Sequence, residues 1–153
     1  MNANDLKPLM PAMAAECDAR YPAEACGLLI ADAKGVLSFV AIPNIAGSAS
    51  ASLTSSRTRR DGYVMDPQRL FSELEKADEA GRVLAGIVHS HPDVGAYFSR
   101  EDRDMALGGG DSPLWPGVDY LVISCRTGHT DDARLFHWED ARKEFAEEPI
   151  PVA

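Results

Sequence analysis

The sequence predicts an α/β domain over residues 1–153, and three observations carry that expectation. Apolar residues recur at helical spacing near the N-terminus, short apolar runs bounded by turn residues follow, and a well-capped helix separates two of those runs.

Leu6, Leu9, Met10, Met13 and Cys17 share one helical face, so the spacing predicts a helix from Leu6 to Arg20, with Pro8 and Pro11 in its opening turns and Pro22 closing it. "ACGLLIAD", the turn "AKG" and "VLSFVAI" up to Pro43 read as two antiparallel strands. Residues 44–61, rich in Ala, Ser and Thr, have no apolar period and read as a long mobile loop. The loop ends in Arg57, Arg59 and Arg60, either a solvated charge run or a docking patch for an acidic partner.

A short strand is expected near Tyr63 to Met65. Asp66 is then placed as N-cap, Pro67 as first helical residue, Leu70, Phe71 and Leu74 on one face, and Gly81 as terminator. "RVLAGIVHS" reads as a buried strand and "SREDRDMAL" as a short helix capped by Ser99, which puts "HSHP" at a strand's C-terminal end. "GGGDSPLWPG" is a loop, "VDYLVISC" a core strand, "RTGHTDD" a turn, and "ARLFHWE" a partner strand with Leu135 and His137 on one face. The tail "EEPIPVA" predicts nothing beyond its prolines.

Fifteen Lys and Arg against 24 Asp and Glu give a net charge of −9, which repels phosphate backbones and disfavours nucleic acid as a partner. Hydrophobic residues at 45% and charged residues at 25% match ordinary globular usage. Cys17, Cys26 and Cys125 are odd in number and lack CxxC spacing, so reduced buried thiols are expected rather than a disulfide framework. The N-terminus has no signal-peptide pattern and no apolar run reaches the ~18 residues of a membrane span, which makes the cytoplasm the default expectation.

The stretch "VHSHPDVGAYFSRED" carries the chemistry. In a strand, residues i and i+2 point the same way, so His89 and His91 can converge on one ion while Ser90 faces away, with a structural role for each histidine as the alternative. Pro92 favours extended geometry at His91. Ser99 and Asp102 fall on one helical turn, where they read either as a capping box or as the source of a third ligand. Two imidazoles and a carboxylate are the donor set of a catalytic zinc site, which lowers the pKa of water from 15.7 towards ~7. A proton carrier is still needed, and Glu24 in "YPAEACGLL" is a candidate with Glu16 and Glu101 as competitors.

"AEACGLL", "HSHPDVGAYFSRED" and "YLVIS" together resemble the JAMM (MPN+) metalloprotease domain, over nearly the whole chain. The resemblance implies an MPN/JAMM fold, a curved, mostly antiparallel sheet flanked by helices and related to the cytidine-deaminase fold. It implies one Zn2+ on His89, His91 and Asp102, Glu24 as general base and then acid, and Ser99 supporting the tetrahedral intermediate. Phe98 stands where many relatives have proline, and the loop "GGGDSPLWPG" is shorter than the insertion of eukaryotic deubiquitinases. The chain is instead similar to small prokaryotic members, which implies as partner a ubiquitin-like or sulfur-carrier protein whose Gly-Gly tail reaches the zinc as an added strand. Tyr97 and Trp115 are candidates for lining the tail channel, with ordinary packing as the alternative.

Two other readings stand beside this one, and two more are disfavoured. A small-amide zinc amidohydrolase would use the same ligands, and a non-catalytic MPN-type binding module would keep the metal for structure. A Cys26 nucleophile is disfavoured because Cys26 opens an apolar strand. A zinc deaminase would need Pro-Cys-x-x-Cys ligands that are absent.

Overall fold

The computed structural model describes residues 1–51 and 57–153. Part of the expected mobile loop, residues 52–56, lies outside the described residues.

The N-terminal helix is two helices, α1 (Ala3–Leu6) and α2 (Met10–Arg20). Asn2 starts α1 earlier than its apolar period suggests, because its side chain accepts the N–H groups of Asn4 and Asp5 while Asp5 caps back. Pro8 would then fall inside a continuous helix, where it has no N–H to give and clashes one turn back, so the chain breaks and restarts with Pro11 in the first turn of α2. Leu6, Met10, Met13 and Cys17 are all buried, as their spacing predicts.

Strands β1 (Cys26–Ala31) and β2 (Leu37–Ile42) form the expected hairpin. Gly27 is needed there, since a Cβ would come within 2.6 Å of the Phe39 ring and the Val40 carbonyl. The strand expected near Tyr63 to Met65 reduces to one bridge between Met65 and Asn44. Helix α3 (Pro67–Glu79) is capped by Asp66 as predicted, and Leu70, Leu74 and Ala77 face the sheet. Phe71 does not join them: it lies about 100° around the helix from Leu70 and is 63% exposed.

Strand β3 (Val83–Pro92) carries "HSHP" at its C-terminal end, and α4 (Arg100–Leu107) follows. Strand β4 (Asp119–Arg126) turns at Thr127 and Gly128, both with positive φ, into β5 (His129–Glu139), so the turn is shorter and the strand longer than the sequence suggests. A further strand that the sequence did not predict, β6 (Glu144–Pro149), runs into the first three residues of the tail "EEPIPVA".

The strands make one sheet in the order β2-β1-β3-β4-β5-β6. Every neighbouring pair is antiparallel except β3 and β4, whose parallel pairing requires the crossover that α4 lies on. On one face α1 and α2 pack Leu6, Met10 and Met13 against Leu29, Val88, Leu121 and Leu135. On the other, α3 covers Leu28, Ile30 and Ile42, while Ala106 of α4 packs with Tyr120, Val122 and Phe136. The mixed sheet between two helical layers is the expected α/β architecture. Among the described residues no helix is long and apolar enough to cross a membrane.

Candidate metal centre

Alternation along β3 decides which side chains meet. Val88 points into the α1/α2 core and Ser90 shares its side, so Ile87, His89 and His91 face the layer of α3 and α4. The turn after Pro92 returns the chain to α4, whose first turn brings Asp102 over the two rings. His89 Nε2 lies 3.2 Å from His91 Nε2 and 3.2 Å from Asp102 Oδ1, and His91 Nε2 lies 3.4 Å from Asp102 Oδ2. All three residues are buried, at 1, 5 and 7% exposure.

The choice between cap and ligand for Asp102 dissolves, because the carboxylate is placed for both. Its Oδ2 accepts the Ser99 N–H at 2.9 Å, and its own N–H donates to Ser99 Oγ at 3.0 Å. Ser99 Oγ thus accepts within the cap and keeps its hydroxyl proton to donate.

The donor set fits a cation. Ligand atoms about 2.0–2.1 Å from a tetrahedral ion stand roughly 3.3 Å apart, which the observed separations match. His91 Nδ1 lies 2.9 Å from the Gly95 carbonyl, an acceptor only, so the ring carries its proton there and turns the Nε2 lone pair inward. A lone pair aimed at a carboxylate is repulsive unless positive charge lies between them. Without a metal that charge has to be a proton: burial works against it, but Asp102 and the Gly95 carbonyl raise the His91 pKa. Burial lowers the pKa of His89 despite Asp102. Burial also disfavours the Asp102 carboxylate, yet the histidines and the Ser99 cap hold its pKa well below the usual range. His89 Nδ1 has no hydrogen-bond partner among the described residues.

Glu24 reaches the cluster through strand register. Cys26 pairs with His89, the Ser90 N–H donates to the Ala25 carbonyl at 2.9 Å, and the Ala25 N–H donates to Ser90 Oγ at 2.8 Å. The antiparallel continuation sets Glu24 across from His91. Glu24 is 6% exposed, and burial raises its pKa to about 8, with Asp102 adding to the rise and His91 and Arg57 opposing it. Of its sequence competitors, Glu101 lines the same cleft, while Glu16 is tied to Arg20 on α2.

The cleft has a volume of about 240 Å³, with Glu24, His91, Tyr97, Ser99 and Asp102 among its lining residues. Tyr97 lies edge-on to His91 at 5.1 Å. Trp115 is elsewhere: it lines a neighbouring, more apolar groove of about 570 Å³ with Met65, Leu70 and Tyr120, which shares Arg57 and Glu101 with the cleft.

Three contributors escaped the sequence reading. Tyr63 stacks on His89 at 4.9 Å. Asn44 donates to the carbonyls of Glu24 and Gly62 at 3.0 and 3.2 Å and accepts from the N–H groups of Ala46 and Val64. Phe98 packs among Tyr120, Phe136 and Phe145, which anchors the chain just before Ser99. "PN" after a strand is a turn signal for Asn44 and fits its local bond from the Ala46 N–H, but its other three partners lie 18 to 20 residues away. Cys26 is buried, its thiol donates to the Ile42 carbonyl and burial pushes its pKa up to about 12, which leaves no thiolate for catalysis.

A six-stranded mixed sheet flanked by helices, with two histidines on a central strand and a carboxylate from the next helix, defines a domain of the MPN/JAMM class. The family model described as prokaryotic homologs of the JAB domain matches residues 6–143, and the chain belongs to that family. A protein of Haloferax volcanii named desampylase is 32% identical over 133 residues, 86% of this chain and 79% of that protein. A solution structure of a Desulfitobacterium hafniense protein superposes with a TM-score of 0.67 at 25% identity, over 95% of this chain and 88% of that one. A Salinibacter ruber protein shares the fold with a TM-score of 0.61 at 24% identity, over 94% and 86% of the two chains.

Proposed function

We propose that this protein is a zinc-dependent peptidase or isopeptidase that hydrolyses the amide bond after the C-terminal Gly-Gly of a ubiquitin-like or sulfur-carrier protein. The observation that carries the reading is the meeting of Glu24 and Ser99 with His91 and Asp102 in one small cleft. The relative named desampylase supports removal of a ubiquitin-like modifier as the class of reaction.

His89, His91 and Asp102 would hold the ion. When bound, zinc supplies a Lewis acid that polarises the scissile carbonyl and eases deprotonation of water. Glu24 takes the proton of the attacking water as the new C–O bond forms, then passes it to the amide nitrogen as the C–N bond breaks. The Ser99 hydroxyl donates to the oxygen on which negative charge develops. Tyr97 lines the approach to the cleft and Trp115 the adjoining groove, where an extended Gly-Gly tail has room to lie.

The deciding experiment is intact mass of a Gly-Gly-ending carrier extended by a few C-terminal residues, after incubation with the zinc-loaded protein and with its Glu24→Ala variant. Trimming to Gly-Gly by wild type alone is expected. An intact carrier with the zinc-loaded wild type, across several carriers, would overturn the reading.

A further inference from the structure

Hydrolysis needs Glu24 and the His91 ring at a fixed separation, yet the sheet stops short of Glu24. The last paired residues of β1 and β3 at this end are Cys26 and His89. Ala25 is still tied to Ser90, but the Glu24 N–H turns away to the Arg59 carbonyl at 2.6 Å, in a segment outside the sheet. The His91 ring is set by different means, its Nδ1 meeting the Gly95 carbonyl of the turn that follows β3.

One carboxylate joins these supports. Asp93 opens the turn with a φ of 61°, a left-handed conformation that Asp tolerates better than most residues. Its N–H donates to the Cys125 carbonyl at 2.9 Å, and the Ser124 hydroxyl holds the next carbonyl, that of Val94, at 2.8 Å. The Asp93 side chain then reaches three further segments. Its Oδ1 accepts the Thr127 N–H at 2.9 Å, and its Oδ2 accepts the Tyr21 hydroxyl at 2.8 Å and an Arg60 N–H at 3.3 Å.

Tyr21 lies three residues before Glu24, and Arg60 follows the residue whose carbonyl receives the Glu24 N–H. Both lines of support for Glu24 therefore end on Asp93, two residues beyond His91. They are unequal. The Arg60 side chain is 65% exposed, and such solvated ion pairs contribute little. The Tyr21 hydroxyl bond is part-buried, its ring lies beside Gly128, and bonds to an ionised acceptor are the stronger kind. Pro92 and Val94 line the cleft on either side of Asp93, which is not among the lining residues.

We infer that Asp93 is a positioning residue, whose carboxylate holds Glu24 and the His91 ring in mutual alignment from outside the cleft. Its effect on turnover rests on the hydrolytic reading above, while the alignment itself is measurable without a substrate.

Three variants test this. Asp93→Gly accepts the positive φ and removes the carboxylate. Asp93→Asn accepts the φ and keeps an oxygen for the Thr127 N–H and an amide to meet the Tyr21 hydroxyl. Tyr21→Phe removes the hydroxyl alone. Two nuclear magnetic resonance readouts need no substrate: exchange of the Glu24 amide hydrogen relative to that of Val88, and the Nδ1–H signal of His91 at matched zinc content. In Asp93→Gly the Glu24 amide is expected to exchange about tenfold or more faster relative to Val88, and the His91 signal to broaden or vanish. Tyr21→Phe is expected to speed Glu24 exchange and leave the His91 signal, since the Thr127 bond survives. Asp93→Asn should stay close to wild type in both.

On an extended Gly-Gly carrier, kcat of Asp93→Gly is expected to fall about tenfold or more with KM little changed, as misplacing a catalytic group costs rate. Glu24 exchange that rises no more than that of Val88 would mean general loosening and overturns the inference. So does an unchanged His91 signal in Asp93→Gly, an Asn variant as impaired as the Gly variant, or a raised KM with kcat intact. A wild type that cuts no carrier overturns the hydrolytic reading only, and the two substrate-free readouts then decide the role of Asp93.

Discussion

Ser99 and Asp102 cap each other across the first turn of α4, and the same Asp102 carboxylate faces both histidines. Helix start and candidate metal centre therefore share one side chain. Asp102→Asn separates the two duties, since an amide oxygen still accepts the Ser99 N–H but carries no charge for a cation. The variant is expected to keep α4 and lose metal affinity by tenfold or more, read by zinc content against a chelator series. Ser99→Ala is expected to do the reverse, keeping zinc while losing about 1 kcal/mol of stability with the cap. Its turnover should also drop by roughly 10²–10³ if the hydroxyl meets the oxyanion.

Metal removal has its own expected outcome. A ligand that binds only the folded state stabilises it by about 4 kcal/mol at 1,000 times its Kd. Wild type should therefore melt at a lower temperature after chelation and recover with added zinc. His89→Ala should melt at the same temperature with and without chelator, and scanning calorimetry of both proteins checks this. A wild-type response in that variant would remove His89 from the ligand set.

Glu24 gives a pH test in the metal-free protein. Its folded pKa, about 8, is raised above the ordinary 4.5, so the folded state binds the extra proton between those values. The contribution to stability is fully present below pH 4.5 and lost as pH rises through about 8. Glu24→Gln stays neutral throughout, so its stability relative to wild type should climb across that window, by at most ~1.4 kcal/mol per pH unit, and level off above it. Urea denaturation of both metal-free proteins at several pH values reads the difference. A constant difference would contradict a buried, protonated Glu24.

Asn44 is expected to act on catalysis by holding Glu24 in place. Asn44→Ala frees the carbonyls of Glu24 and Gly62 and the N–H groups of Ala46 and Val64 together. A loss of about 2 kcal/mol or more is expected, as each unsatisfied buried group costs ~1–3 kcal/mol before relaxation. kcat should fall more than KM rises. Asn44→Asp keeps the two accepted bonds but cannot donate to either carbonyl, so an intermediate stability with kcat still depressed is the outcome to look for.

Local patterns were legible where one residue type had one physical task. The Asp66 cap, the period-2 placement of His89 and His91, and the Ser99 start of α4 all follow from neighbours within a few residues, and each is in the structure. Tyr63 and Asn44 were not legible, because each acts on residues 18 to 26 positions away that only the fold brings close. Strand β6 escaped for a different reason. Its "EFAEEP" is acidic and barely alternates, as suits an edge strand whose charges discourage further pairing, and only Phe145 ties it to the aromatic cluster.

The position of β3 also bears on the order in which the molecule comes apart. It is hydrogen-bonded to β1 on one side and β4 on the other, while β2 and β6 each have one neighbour. Amide hydrogens at the sheet's margins should exchange through small, frequent openings, whereas those of Val88 to His91 should exchange only when the whole sheet gives way. The strand that carries His89 and His91 would then belong to the slowest-exchanging unit, and fraying at either margin would leave the histidines in register.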